Sequence, residues 1–383
     1  MDVKSKSRQL NEEEITAFGL ELDEIRKEVM ESLGKKEADY IYRVRNFVRY
    51  TEIVGRSSLM LGWLPPFWVA GSAILGVSKI VENMELGHNV MHGQYDWMND
   101  PTLRGSTYEW DTVCTADNWR HTHNFMHHTY TNVLEMDHDI GYGALRLFPE
   151  QEWSPRYLAN PIIATFLALT FEWTLALQSL ELEKLITGEK SFAEIREELK
   201  PIAKKMRKQF AKDYLFFPLL AGPMFIPVIT GNLMAGVIRN LWTFGIIFCG
   251  HFTEDAETFP KEIIENESRG QWYLRQLRGS SNLVGGRMFD FLTGNLSHQI
   301  EHHMFPDVPG VRYAELSEKV QDICVRYGQN YNTGSFKKQF STVVGRIFKY
   351  ALPFGKKAKQ KKSAEIVSVN IPQKSINLDK NAA

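Results

Sequence analysis

The sequence predicts an all-α integral membrane protein, with about four transmembrane helices in two hairpins beneath a helical cytosolic cap that holds a metal site. Three observations carry this expectation. Apolar residues gather into a few long stretches although the mean hydropathy of the 383-residue chain is −0.30, so a large water-facing part must cap a smaller buried one. Basic residues flank the later apolar stretches, which places both flanks on the cytoplasmic side. All eleven histidines lie between His88 and His303, and eight of them form three tight clusters.

The elements follow in order. Residues 1–42 have no apolar h-region and no cleavage site, and Asn11 to Tyr42 reads as a soluble, charged helix. Residues 43–350 form the membrane part. Its first apolar stretch, Ser57 to Ser78, is interrupted at Pro65-Pro66, so two legs meet at the prolines. The first leg must borrow the upstream segment with Arg49, Glu52 and Arg56, whose spacing puts the three charges on one face. The second leg, Phe67 to Ile80, continues into Val-Glu-Asn-Met-Glu-Leu-Gly-His, so His88 emerges about two turns beyond the apolar core. The metal is expected just outside the bilayer.

Pro161 to Leu182 is apolar enough to span, yet it joins the second histidine cluster to a basic stretch on the same side. It is read as a helix lying in the interface or dipping into the bilayer, with Glu172 turned inward or to the surface. Tyr214 to Ile229 and Leu233 to Phe252 read as a transmembrane hairpin, separated by the turn signal Thr230-Gly231-Asn232. Lys204, Lys205, Arg207, Lys208 and Lys212 precede it, and Arg269, Arg275, Arg278 and Arg287 follow it. Residues 351–383 are a basic tail expected to be disordered, with Lys356, Lys357, Lys359, Lys361 and Lys362 drawn weakly to anionic lipid.

The clusters are His88-Asn-Val-Met-His92, His123-Asn-Phe-Met-His127-His128 and His298-Gln-Ile-Glu-His302-His303. On a helix turning about 100° per residue, an i, i+4 pair lands on one face. Neutral imidazole suits iron, copper, nickel and zinc alike. One zinc needs about four ligands, so eight converging histidines suit two ions. A zinc protease is disfavoured because the first pair lacks the glutamate of His-Glu-x-x-His. Cys114, Cys249 and Cys324 form no CxxC pair, which indicates neither a disulfide framework nor a zinc knuckle and suits a reducing compartment. A net charge of −1 argues against nucleic-acid binding.

With an apolar hairpin between the second and third clusters, and Phe-Pro after the third, the chain resembles the membrane-bound fatty acyl desaturases. The resemblance covers roughly Glu82 to Tyr313 and is to bacterial acyl-CoA desaturases in particular, through GHNVMHGQYDWMNDP, NWRHTHNFMHHTYTN and GNLSHQIEHHMFPD. It implies two iron ions held almost wholly by histidine, O2 as co-substrate, and removal of two hydrogens from a long-chain acyl-CoA or acyl-lipid to leave a cis double bond. It also implies a bacterial inner-membrane location with the site on the cytoplasmic side. The implied ligands, and catalytic residues, are His88, His92, His123, His127, His128, His298, His302 and His303. Stearoyl-CoA desaturases add a histidine after the corresponding helix, which carries the metal role to His251.

Two registers stay open. Gln299, His302 and His303 fit a 100° arc, whereas His298, His302 and His303 spread over about 140°, and related front-end desaturases carry glutamine in this box. His298 is favoured because an amide is the poorer donor to iron. Asn124 competes with His123 in the same way, and the resemblance favours His123. His121 and His138 are expected to contact ligands or substrate, and Asp137, Asp139, Glu301 and Asp290 to bond the ligands' second ring nitrogens. The small residues Gly71, Ala73 and Gly76 are expected to leave room for an acyl tail.

No His-Pro-Gly-Gly haem motif, cysteine set for an iron–sulfur cluster or Gly-x-Gly-x-x-Gly turn is present. Electrons are therefore expected from a separate reductase with a ferredoxin-like or flavin module. A related di-iron hydroxylase or ketolase would use the same boxes, and a membrane metal or haem carrier is the non-catalytic alternative; product analysis and an optical spectrum separate them.

Overall fold

In a computed structural model, residues 7–354 are described. Helix α1 (Glu12–Glu31) opens with a reciprocal cap, in which Asn11 accepts from the Glu14 N–H and the Glu14 carboxylate accepts from the Asn11 N–H. The charged helix expected over 11–42 is two helices. It breaks at residues 32–34, where the Glu37 carboxylate accepts from the Gly34 N–H and starts α2 (Lys35–Leu59). Helix α2 then runs unbroken past Tyr42, so the soluble segment and the first apolar leg share one rod.

Pro65 and Pro66 fill the first turn of α3 (Pro65–Val81), where a missing N–H costs no helical bond. Helices α2 and α3 pack closely. A Cβ on Gly71 would lie 3.0 Å from the Gly55 carbonyl oxygen and from Leu59 Cγ, and one on Gly76 would lie 2.9 Å from Ile238 Cγ2. Gly71 and Gly76 therefore bring helices together and leave no slot, while Ala73 faces outward.

Helix α4 (Asn160–Gln178) kinks at Thr170 and buries Ala164, Leu167 and Phe171 while exposing Ile162 and Phe166. Glu172 turns inward, paired with Arg239 and accepting from the Val113 N–H. Helix α5 (Phe192–Ala211) is capped by Ser191 and Glu194 and passes through a π-helical turn, Lys212–Phe216, into Phe217–Leu220. The chain reverses at Ala221 to Met224, with Gly222 at φ +57°, and returns as α6 (Phe225–His251).

The second hairpin therefore does not turn at Thr230-Gly231-Asn232, which lies inside α6. Gly231 is small because Leu59 packs on it: an added Cβ would stand 2.2 Å from Leu59 Cδ2. The Asn232 amide donates to the Asp213 carbonyl at 2.5 Å and its oxygen accepts from Arg56. Arg56 also pairs with Asp213, as does Lys79. Residues that mimic a turn here serve helix contact and a buried ionic knot.

The cap is built from α1, α7 (Arg269–Gly279), α8 (Gln299–Met304) and α9 (Tyr313–Arg326) around Phe18, Leu22, Tyr273, Ile300, Phe305 and Leu316. Strands β1 (Asn282–Val284) and β2 (Thr333–Ser335) pair in parallel and lead into α10 (Phe336–Ala351), which packs on α4 and α6. Phe171, Phe244, Ile246, Phe248, Val343 and Ile347 form the core beneath. Among the described residues two helices, Pro155–Gln178 and Gly222–His251, are long and apolar enough to cross a membrane. The lysines expected to meet lipid, Lys356 to Lys362, lie outside the described residues.

Candidate metal centre

The first two histidine clusters sit where the helix widens. After α3 the chain makes a π-helical turn, Glu82–His88, and a second, Arg120–His127, carries His123 and His127. Each π turn takes up more residues than an α turn, which brings side chains four apart nearly into line; such turns recur at functional sites. The rings of His123 and His127 accordingly stack, 5.1 Å apart and 26° from parallel. His251 ends α6, and His302 and His303 lie on α8.

These elements bring the histidines into two neighbouring sets. In one, His88, His92, His123 and His302 place a ring nitrogen each within 4.8 Å of one another, and in the other His127, His251 and His303 do the same. His128 lies between them, grouped with His302 and His303 and stacked on His303 at 4.4 Å. His88 Nε2 stands 3.2 Å from His302 Nε2; His251 Nε2 stands 3.3 Å from His127 Nε2 and 3.0 Å from His303 Nε2.

That geometry fits metal ions. Nitrogens bound at ~2.1 Å stand ~3.0 to 3.4 Å apart for bond angles between 90° and tetrahedral. One shared proton accounts for one such contact, but His251 Nε2 faces His127, His303 and the Gln299 amide together. The buried Nε2 atoms of His92 and His123, both ring nitrogens of His128, and Gln299 Oε1 have no protein partner, a costly arrangement unless something else bonds them.

Burial, reinforced by neighbouring imidazoles, holds His88, His92, His128, His302 and His303 well below the usual histidine range. They are neutral, the form that ligates. His127 is the exception: burial works to lower it, but the Asp137 and Asp139 carboxylates prevail and raise it to about 9.

The second ring nitrogens are held by groups of several kinds. His127 Nδ1 donates to Asp137 at 3.0 Å, and His123 Nδ1 lies 3.6 Å from Asp139. Sequence reasoning did not find the rest. His303 Nδ1 meets Gln276 Oε1 and Thr131 Oγ1, each at 3.2 Å; His302 Nδ1 meets the Tyr313 hydroxyl at 3.4 Å; His251 Nδ1 donates to the Gly279 carbonyl at 3.2 Å. Nothing local marks these residues, which lie outside the boxes on α7, on α9 or just after the second cluster.

His298 is not brought to the cluster. It precedes α8 with φ −104° and ψ 57°, and its Nε2 lies 3.8 Å from Asp290. Gln299, the first residue of α8, points inward instead, 3.0 Å from His251; the helix starts one residue too late for His298 to share its face. Asn124 likewise turns away, donating to the Met91 carbonyl. His121 is exposed beside Phe125, and His138 pairs with Glu181 rather than with a ligand. The Glu301 carboxylate accepts from Asn282 and Tyr331 rather than from a ligand's ring nitrogen.

Fold and site together define a helical protein with apolar hairpins and a paired, histidine-lined centre at their cap. Residues 62–335 match the family model described as Fatty acid desaturase, and the chain belongs to the fatty acid desaturase family, whose members are oxidoreductases. It is 44% identical over 348 residues, 90% of this chain and 82% of the relative, to the NADPH-dependent stearoyl-CoA 9-desaturase of Mycobacterium tuberculosis (strain ATCC 25618 / H37Rv). It is 27% identical to the sn-1 linoleoyl-lipid 6-desaturase of Synechocystis sp. (strain ATCC 27184 / PCC 6803 / Kazusa), over 70% of this chain and 75% of that one. Fatty acid desaturase 3 of Homo sapiens is 24% identical, over 76% of this chain and 64% of that one.

Proposed function

We propose that the chain is an O2-dependent desaturase that places a cis double bond in a long-chain fatty acyl-CoA, with acyl-lipid as the other carrier, at two histidine-held iron ions. The observation that carries this is the convergence of His127, Gln299 and His303 on His251 beside the set of His88, His92, His123 and His302. The 44% identical relative is named for a stearoyl-CoA substrate, which favours acyl-CoA.

Iron with O2 supplies the oxidising power that an unactivated methylene requires and that acid–base side chains lack. The protein's contribution is to position. Asp137, Gln276, Thr131, Tyr313 and the Gly279 carbonyl fix the rings of His127, His303, His302 and His251. Burial of His88, His127, His128, His251, His302 and His303 keeps bulk water from most of the centre. The reaction balances as a saturated acyl chain plus O2, two electrons and two protons, giving the unsaturated chain and two waters. The electrons come from a separate ferredoxin-like or flavin reductase, in keeping with the NADPH dependence in the relative's name.

We place the protein in a bacterial inner membrane, held by the α2–α3 and α5–α6 hairpins with the centre on the cytoplasmic side. Helix α4 is read as lying against this assembly rather than crossing. Both of its ends bond non-membrane segments, Asn160 to Arg146 and Gln178 to Asp139, while its middle meets Asn240. Lipids from cells expressing the chain, analysed by gas chromatography with double bonds located by derivatisation, test the reading. New cis-unsaturated chains are expected; hydroxylated products or none would overturn it.

A further inference from the structure

Asn132 is buried and adopts φ +55°, a left-handed conformation that few residues other than glycine accept and that asparagine tolerates. It lies where the chain leaves the second histidine cluster. Its main-chain N–H donates to Asp137 Oδ2 at 2.8 Å, and its carbonyl accepts from the Phe259 N–H at 2.9 Å. Its side-chain amide donates to the Gly279 and Glu257 carbonyls, each at 2.9 Å, and lies 3.5 Å from the His251 carbonyl.

Two of these bonds end on the anchors of proposed ligands. Asp137 holds His127 Nδ1 at 3.0 Å, and the Gly279 carbonyl holds His251 Nδ1 at 3.2 Å. A carbonyl oxygen has two lone pairs, so Gly279 can serve His251 and Asn132 together. His127 and His251 stand 124 residues apart in sequence, yet their Nε2 atoms meet at 3.3 Å. One residue therefore backs both rings, through its main chain on one side and its side chain on the other.

The neighbouring set has no such link. His302 Nδ1 meets the Tyr313 hydroxyl at 3.4 Å and His123 Nδ1 lies 3.6 Å from Asp139, and Asn132 bonds neither of those partners. A residue needed only for its left-handed turn would be replaced by glycine at little cost. Exposed Asn266, at φ +61°, is such a position. Asn132 differs in that its amide is spent on carbonyls behind the histidines.

We infer that Asn132 is a positioning residue for one of the two metal positions. It fixes the spacing of the His127 and His251 rings, so that its side chain governs retention of the ion held by His127, His251 and His303. The ion held by His88, His92, His123 and His302 does not depend on it. This rests on the di-iron reading proposed above.

Asn132→Gly keeps the backbone conformation and the N–H to Asp137 and removes only the amide. Asn132→Asp keeps the shape and loses the donor, and serves if the glycine variant does not fold. After dialysis of the iron-loaded, detergent-purified protein against a chelator, either variant should retain one iron per chain where the parent retains two, a loss of about 10- to 100-fold in affinity at one position. Asn266→Gly should match the parent.

Combination with ligand variants shows which ion is lost. Adding Asn132→Gly to His251→Ala should remove no further iron, because both act on the same position, whereas adding it to His88→Ala should leave almost none. Full retention of two irons by Asn132→Gly, loss of both, or further loss in the His251→Ala background overturns the inference and leaves the di-iron reading standing. A parent that retains no second iron overturns both.

Discussion

His127 is held at both ends of its ring: Nδ1 lies 3.0 Å from each oxygen of Asp137, while Nε2 lies 3.3 Å from His251 Nε2. Asp137 is itself fixed by the N–H groups of Asn132 and Asp139, so the carboxylate is a rigid anchor. A carboxylate behind an imidazole sets its tautomer and strengthens it as a ligand. Asp137→Asn should therefore weaken metal retention by about 10- to 100-fold, read as iron per chain after dialysis against a chelator. Unchanged retention would show that Asp137 merely packs.

His88, His92, His127, His128, His302 and His303 should each be required. Single alanine variants are expected to lose desaturation and to hold fewer than two irons per chain while staying in the membrane. Metal analysis and product chromatography on the same preparations check this, and activity in two or more variants would sink the shared centre.

The third box gives a sharper comparison. Gln299→Ala should lower metal content or activity because its amide meets His251 at 3.0 Å. His298→Ala, at a ring turned toward Asp290, should leave the iron count unchanged. The opposite pattern would return His298 to the ligand set.

Gly71→Leu should destabilise the protein without changing which chain lengths it uses. Its Cβ would already press on the Gly55 carbonyl and Leu59, and overpacking costs about 1–3 kcal/mol or more. A lower Tm with the same relative rates across graded acyl-CoAs is expected. A selective loss of long chains would mean that a slot does run past α3.

Glu85 predicts a pH dependence. Burial raises its carboxyl to about 8, against the opposing bonds from Tyr40 and Asn295. Between about 4.5 and 8 the folded protein holds a proton that the unfolded chain has released, so this group's contribution to stability falls as pH rises and levels off above 8. Glu85→Gln cannot ionise. Its Tm relative to the parent should rise from pH 5 to pH 8.5; a constant difference would show that Glu85 does not titrate in that range.

The histidine sets were legible because ligation demands local spacing, and i, i+4 pairs survive whether the turn is α or π. Register within the third box was not, because the start of α8 is fixed by tertiary contacts: Asn282 accepts from the Ile300 N–H, a residue of β1 that no local pattern links to the box. The second hairpin's turn was misplaced for a similar reason. Gly231 and Asn232 look like a turn in isolation, yet their partners, Leu59, Arg56 and Asp213, lie elsewhere in the chain. Gln276, Thr131 and Tyr313 were invisible because a positioning bond needs only proximity in space.

The proposed ligands span His88 to His303, a separation of more than two hundred residues, and this bears on how the protein is made. Both hairpins leave the ribosome before α8, so a nascent chain already seated in lipid still lacks the two histidines that touch both sets. Neither ion can gain its full donors until translation has passed His303. On the proposed di-iron reading, metal loading is thus expected to be a late event, and a chain stalled or truncated ahead of α8 is expected to reach the membrane yet retain no metal pair.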